Sequence, residues 1–208
     1  MKELEADILI IGAGLTGLTL AYLLKDSNFN IKILEARDRI GGRILTTANE
    51  GCAPIEMGAT WIGKKHQNIN RLLQDLDIDI FEQAMGDHAI YEPLSTSPPQ
   101  LVQLPHNPEP SYRIKGSSSA LIETLYHQIG KEQVYLGHVV KSISMKDEIA
   151  YVGTQDSIFK SKFIVSTLPP NLLASSVTIE PSLPNELNSI MNQTHTWMGE
   201  AMIDSIKK

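Results

Sequence analysis

The hydrophobic pattern at the start of the chain changes period twice. "ADILIIG" (residues 6–12) is a short, isoleucine-rich apolar run, as expected of a strand buried on both faces. In "LTGLTLAYLLKDS" the residues Leu15, Leu18, Tyr22 and Leu23 recur at helical spacing, and Asp26-Ser27-Asn28 ends the run. "FNIKILEA" returns to a strand. Strand, helix and strand over this length imply two parallel strands joined by a right-handed crossover. The fold class expected is therefore α/β, built on a Rossmann-like βαβ unit with further strands returning to it.

Farther along, "APIEMGATWIG" reads as a strand running into a glycine turn, and "QNINRLLQDLDI" as an amphipathic helix with Ile69, Leu72, Leu73 and Leu76 on one face. Six of the eleven prolines fall within residues 93–110, a density that excludes long regular elements and marks a loop or linker. "SSSALIETLYHQIG" predicts a helix with its serines as candidate N-caps. "QVYLGHVVKSISM", "EIAYVG" and "FKSKFIVSTLPP" read as successive strands, "LPNELNSIMNQ" as a helix, and "GEAMIDSIKK" as a strand just beginning. No internal repeat is evident.

Composition narrows the function classes. A net charge of −6 argues against nucleic acid or an anionic membrane as the main partner, so any anion site must be built locally. Apolar runs are only a few residues long, which predicts no membrane span. "MKELEAD" lacks the basic-then-apolar pattern of a secretory signal. The single cysteine, Cys52, has no partner for an internal disulfide and points to a reducing, cytoplasmic setting. The six histidines are scattered, without metal-ligand spacing, so no metal site is expected. "KGSSSA" lacks the glycine-flanked serine elbow of hydrolases.

Two clusters carry chemistry. Gly12-Ala13-Gly14-Leu15-Thr16-Gly17 is a G-x-G-x-x-G turn placed directly after a strand and opening a helix, the context that gives this otherwise common pattern its meaning. Gly12 permits the tight turn, Gly14 lets the backbone approach a pyrophosphate, and Gly17 lets the helix pack close to the strand. The helix N-terminus offers free N–H groups to phosphate, and Thr16 adds a hydroxyl. Glu35 ends the second strand, where dinucleotide folds place an acid for ribose hydroxyls; an acid there disfavours a 2′-phosphate. The second cluster, "ARDRIGGR", holds three of the five arginines and two adjacent glycines. The glycines allow another backbone segment to come close to a ligand, and Arg43 offers a planar fork to phosphate oxygens. Arg37 and Arg39 are read as ligand contacts, as solvent-facing charges, or as partners in a salt bridge to Glu35 or Asp38.

"DILIIGAGLTGLTLAYLL…IKILEARDRIGGRILT" resembles the N-terminus of the flavin-containing amine oxidase family, the monoamine, polyamine and L-amino-acid oxidases. "IEMGATWIG", "YRIKGSSSALIETL", "HVVKSI" and "FIVSTLPPNLL" resemble later family segments in the same order, although Ser117 stands where the family usually has a second glycine. The resemblance implies FAD, with Gly12, Gly14, Thr16, Gly17, Glu35, Arg37, Gly42, Arg43 and Val140 at its adenine, ribose and pyrophosphate. It also implies Leu15 and Ala36, within the same motifs, as cofactor-binding. It implies that Met57, Gly58, Ala59 and Thr60 lie along the isoalloxazine ring, with Trp61 either edging a substrate cavity or buried in a core.

The resemblance further implies residues 1–72 and 113–172 as the two parts of an FAD-binding domain. Residues 73–112 would be a short substrate-domain portion with its Pro-rich linker, and residues 173–208 the start of a second. The activity implied is hydride transfer from an amine-bearing carbon to flavin N5, with reoxidation by oxygen; a small-molecule amine is the implied substrate. The alternatives are a related flavin desaturase or protoporphyrinogen-type oxidase, or a non-catalytic nucleotide-binding or scaffold chain. No catalytic residue is assigned. Family members run longer, and the strand expected beside "DILIIG" would come from the far end of the chain. The expectation is therefore a fragment, a truncated product, or half of a complex whose unpaired first strand is covered by a second polypeptide or a second copy.

Overall fold

The computed structural model describes residues 2–47, 53–84, 86–94, 96, 98–104 and 109–194. Cys52, the prolines at 105 and 108 and the segment "GEAMIDSIKK" lie outside the described residues. In chain order the elements are β1 (Lys2–Ile11), α1 (Leu15–Leu24), β2 (Ile31–Leu34), β3 (Thr46–Thr47), β4 (Ile55–Glu56), β5 (Ile62–Gly63), α2 (Gln67–Asp75), β6 (Ile80–Glu82), β7 (His88–Tyr91), β8 (Gln100–Gln103) and β9 (Ser111–Ile114). They continue with α3 (Ser118–Ile129), β10 (Val134–Tyr135), β11 (Ser142–Lys146), β12 (Ile149–Gly153), β13 (Ser157–Ser166), α4 (Pro170–Ser176), β14 (Thr178–Glu180) and α5 (Asn185–Gln193).

Seven strands form the main sheet in the order β10-β2-β1-β13-β12-β11-β14. The strands β10, β2, β1 and β13 are mutually parallel, while β11, β12 and β13 form an antiparallel meander. Because side chains alternate across a strand, β1 feeds two cores. Ile8 and Ile10 face α1 and α3, packing with Leu18, Leu121 and Leu125. Leu9 and Ile11 face the other way, onto Leu34, Val140, Val152 and Phe159. This double burial is why the segment reads as a continuous apolar run.

The unpaired edge expected beside "DILIIG" does not exist. β13 lies parallel to β1 from Lys2 opposite Ser157 to Ile11 opposite Ser166, and β2 covers the other side. The two hairpin reversals of the meander turn "FKSKFIVS" parallel to β1, so the chain supplies the neighbour itself. The open position is displaced by one strand. β12 pairs only with residues 158–161 of β13, and among the described residues 162–166 have a neighbour on the β1 side alone. Phe163 and Val165 are 57% and 36% exposed there.

Three other readings change. "QVYLGHVVKSISM" is two strands, because Gly137 turns the chain at φ +72° and the loop 136–141 leaves β10 to run past the end of β2. "APIEMGATWIG" is two short pairings, β4 and β5, separated by backbone that lies along residues 43–45. The Pro-rich stretch contains a short strand, β8, which forms a hairpin with β7. The α1, α2, α3 and α5 helices fall where the periodicity puts them, and Ser27 caps the end of α1 by donating its hydroxyl to Leu24 O at 2.6 Å.

Phe159 is fully buried, with the rings of Tyr135 and His138 edge-on at 5.3 and 5.8 Å. Phe159→Ala is expected to cost about 3–5 kcal/mol, from lost burial and a residual cavity. Phe163→Ala, on the same strand but exposed, is expected to change stability by under about 0.5 kcal/mol. Urea denaturation of the two variants measures both.

Candidate functional site

The C-terminal ends of β1 and β2 carry the site, the position where open parallel sheets bind ligands. The turn after β1 is as tight as its glycines imply. Gly12 has φ +107°, and a Cβ on Gly17 would stand 2.0 Å from Gly12 O, so that position admits only glycine. Leu18 N donates to Gly14 O at 3.0 Å and starts α1. Among the described residues no side chain caps α1, and Thr16 is exposed on its first turn, so the helix presents open N–H groups.

Glu35 is 7% exposed and stitches this turn to the next loop. Its Oε2 accepts from Ala13 N at 2.8 Å and its Oε1 from Arg37 N at 3.0 Å. An ionised carboxylate has about four acceptor positions, so two remain for hydroxyl donors. The Glu35 backbone pairs with the other half of the chain: its N–H donates to Tyr135 O at 3.0 Å, and its carbonyl accepts from His138 N at 2.8 Å. Gly137 N likewise donates to Arg37 O at 2.8 Å. These bonds bring buried Val140 to the Glu35 end of the site, although more than a hundred residues separate the two.

The second glycine cluster folds against the first. Gly41 N donates to Ala13 O at 2.8 Å, Gly14 and Gly41 form a parallel bridge, and a Cβ on Gly42 would stand 3.2 Å from Gly14 Cα. Gly41 and Gly42 have φ of +99° and +58°, which bends the chain sharply enough to leave Arg43 exposed beside the turn. The third segment then lies on the second. Met57 N donates to Leu45 O at 2.8 Å and Ala59 N to Arg43 O at 3.4 Å, and a Cβ on Gly58 would stand 2.0 Å from Arg43 O. Thr60 Oγ1 is buried with no hydrogen-bond partner among the described residues. Trp61 is 63% exposed and belongs to no core.

The structure thus brings Gly12, Gly14, Gly17, Glu35, Arg37, Gly42, Arg43, Met57, Gly58 and Ala59 together through backbone contacts, with Leu15, Thr16, Ala36 and Thr60 adjoining them in the chain and Val140 at the Glu35 end. Arg39 does not pair with Glu35 or Asp38. Its guanidinium donates to the carbonyls of Ile40 (3.0 Å), Gly42 (3.0 Å) and Ile44 (3.4 Å). Burial, and then the Arg37 charge beside it, lowers its pKa from the ordinary arginine value, against the pull of the Glu35 and Asp38 carboxylates.

Sequence reasoning missed three contributors. Thr167, at the end of β13, donates its hydroxyl to Ile11 O at 2.9 Å and fixes the start of the glycine turn. Glu56 and Thr46, rather than the serines, cap α3: Glu56 Oε1 accepts from Ser118 N at 2.7 Å and Thr46 Oγ1 from Ser119 N at 3.2 Å. Thr46 Oγ1 also donates to Glu56 Oε2 at 2.7 Å. The Ser117 side chain makes no cap. Only the strand-end position of Thr167 and the carboxylate of Glu56 are visible in the sequence, without the partners that give them meaning.

A glycine turn between a parallel strand and an uncapped helix, with an acid ending the next strand, defines a dinucleotide-binding fold of the Rossmann type. Comparison with known proteins carries this further. The profile of flavin containing amine oxidoreductases matches residues 15–111 and 95–201, and the chain belongs to that family. It is 35% identical to human amine oxidase [flavin-containing] B over 78 residues, 38% of this chain and 15% of the relative. It is 34% identical to probable polyamine oxidase 4 of Arabidopsis thaliana over 93 residues, 44% of this chain and 18% of the relative. The matched segment is therefore less than a fifth of these relatives' length. Among solved structures, wild-type putrescine oxidase bound to putrescine superposes with a TM-score of 0.77 at 17% identity, over 92% of this chain and 64% of that one. Cyclohexylamine oxidase from Brevibacterium oxydans IH-35A gives 0.77 at 16% identity, over 90% and 63%. At these identities the superpositions show a shared fold.

The two turn glycines are expected to fail differently. Gly17→Ala forces its Cβ onto Gly12 O and is expected to lower stability by about 1–3 kcal/mol. Gly14→Ala has normal φ and no atom nearer than 3.9 Å, so its melting temperature should stay near wild type while the methyl group obstructs a ligand between the glycine loops. Thermal melts with FAD titrations separate the two effects.

Proposed function

We propose that this chain holds FAD at the junction of the α1 N-terminus, Glu35 and the Gly41-Gly42-Arg43 loop, as the cofactor-binding part of an amine-oxidising flavoenzyme. The observation that carries the reading is the convergence of three loops distant in sequence on one surface that is lined by backbone and almost free of Cβ atoms. The residues fit the group. The open N–H groups of α1 and exposed Arg43 suit a pyrophosphate, the remaining acceptor positions of Glu35 suit ribose hydroxyls, and the unpartnered Thr60 hydroxyl suits a polar edge of the ring. Bound FAD supplies a hydride acceptor for the carbon bearing an amine and passes the electrons to oxygen, releasing hydrogen peroxide.

In this reading residues 1–72 and 113–172 hold the cofactor, and residues 73–112 and 173–208 belong to the substrate side. The substrate is a small-molecule amine, in line with the names of the relatives. A reducing, cytoplasmic location accords with the single cysteine. A second polypeptide or second copy that extends the sheet would add at residues 162–166, where the backbone is open among the described residues, and not at β1.

Purified chain titrated with FAD should quench flavin fluorescence and retain a flavin absorbance band through gel filtration. Glu35→Ala should weaken binding by about tenfold or more, because it removes charged acceptors from both loop and ligand. ADP should compete, and riboflavin should not. A chain that folds and retains no FAD overturns the proposal.

A further inference from the structure

Two guanidiniums meet on one oxygen at the centre of this site. Arg37 Nη1 and Arg39 Nη2 both donate to Gly42 O, each at 3.0 Å. A carbonyl has two lone pairs and accepts both, but two like charges on one acceptor repel each other.

Their other attachments differ. Arg39 is half-buried and reaches three carbonyls, those of Ile40, Gly42 and Ile44. The positive φ angles of Gly41 and Gly42 turn the backbone between these carbonyls. A planar fork of five donors spread over three nitrogens spans such a group, whereas the three donors of an ammonium radiate from one nitrogen and reach less widely. The Arg37 side chain is exposed, and its only bond among the described residues is the one to Gly42 O. Its backbone N–H is held by Glu35, so the side chain can swing without moving its own main chain.

We infer that the two arginines divide the work: Arg39 is a positioning residue that braces the Gly41-Gly42 loop with or without ligand, and Arg37 shares Gly42 O only until a phosphate-bearing ligand draws it away. Losing Arg37 relieves the repulsion and leaves Gly42 O still bonded to Arg39, so the loop keeps its shape as the ligand enters. The Arg37 half of this inference rests on the reading of the junction as a flavin dinucleotide site. The Arg39 half concerns the chain alone.

Hydrogen–deuterium exchange on the flavin-free chain tests the brace at Gly41 and Ile44, whose N–H groups donate to Ala13 O and Gly41 O. Arg39→Gln should accelerate exchange there by about tenfold or more, as expected when charge-assisted bonds are lost. The core amides of Leu9 and Ile10 should keep their wild-type rates. Arg39→Lys, which keeps the charge without the fork, should fall between, and it serves as the test variant if the glutamine variant does not fold. Arg37→Gln should stay within about twofold of wild type. Wild-type exchange in both Arg39 variants, or equal acceleration in Arg37→Gln, overturns the brace.

FAD titrations at several salt concentrations test the release. Arg37→Gln should weaken binding and flatten its salt dependence, while Arg39→Gln, or Arg39→Lys in its place, should weaken binding with the salt dependence unchanged. Unaltered FAD affinity in Arg37→Gln overturns the role of Arg37. A wild-type chain that binds no FAD overturns the flavin reading and the Arg37 half together, and the exchange data still decide Arg39.

Discussion

A single buried carboxylate, Glu35, closes the junction on which the rest of the site depends. One oxygen holds the N–H of Ala13 in the turn after β1, and the other holds the N–H of Arg37 in the loop after β2. A carboxylate out of water is tolerable only when its lone pairs are met by donors, and here two backbone N–H groups from different loops meet them. The cost of burying the charge is thereby converted into a constraint: the two loops must sit together for Glu35 to be satisfied. The same residue's backbone ties the loop 136–141 to the end of β2, so three parts of the chain register on one position.

Around that position the architecture is one of removed side chains. Gly12, Gly17, Gly41, Gly42 and Gly58 each sit where a Cβ would meet another atom within 3.2 Å, and for Gly17 and Gly58 that atom is a backbone carbonyl oxygen at 2.0 Å. The outcome is a surface of peptide groups, whose N–H dipoles can face a ligand without intervening side chains. Such a surface lacks the packing that holds ordinary loops, and the Arg39 side chain lends it support. Arg39 gathers three carbonyls around the glycine turns.

A second carboxylate, Glu56, works in the same way at the other end of the site. It satisfies the α3 N-terminus and, through Thr46, holds the β3–β4 pair against that helix. The segment 57–60 is therefore anchored on one side by α3 and on the other by the backbone of residues 43–45.

The sequence by itself determined the βαβ unit, the glycine turn, the place of Glu35 and the family. These are local matters: the apolar period, the steric need for glycine and the acid at a strand end are all decided within a few residues. Only the tertiary structure decided that β13 flanks β1, that "QVYLGHVVKSISM" breaks at Gly137, that Arg39 turns to backbone carbonyls and that Glu56 caps a helix 62 residues away. A strand's periodicity states which face is buried but not which distant strand lies beside it. A charged side chain, likewise, has no partner until the folded backbone presents the groups it can reach.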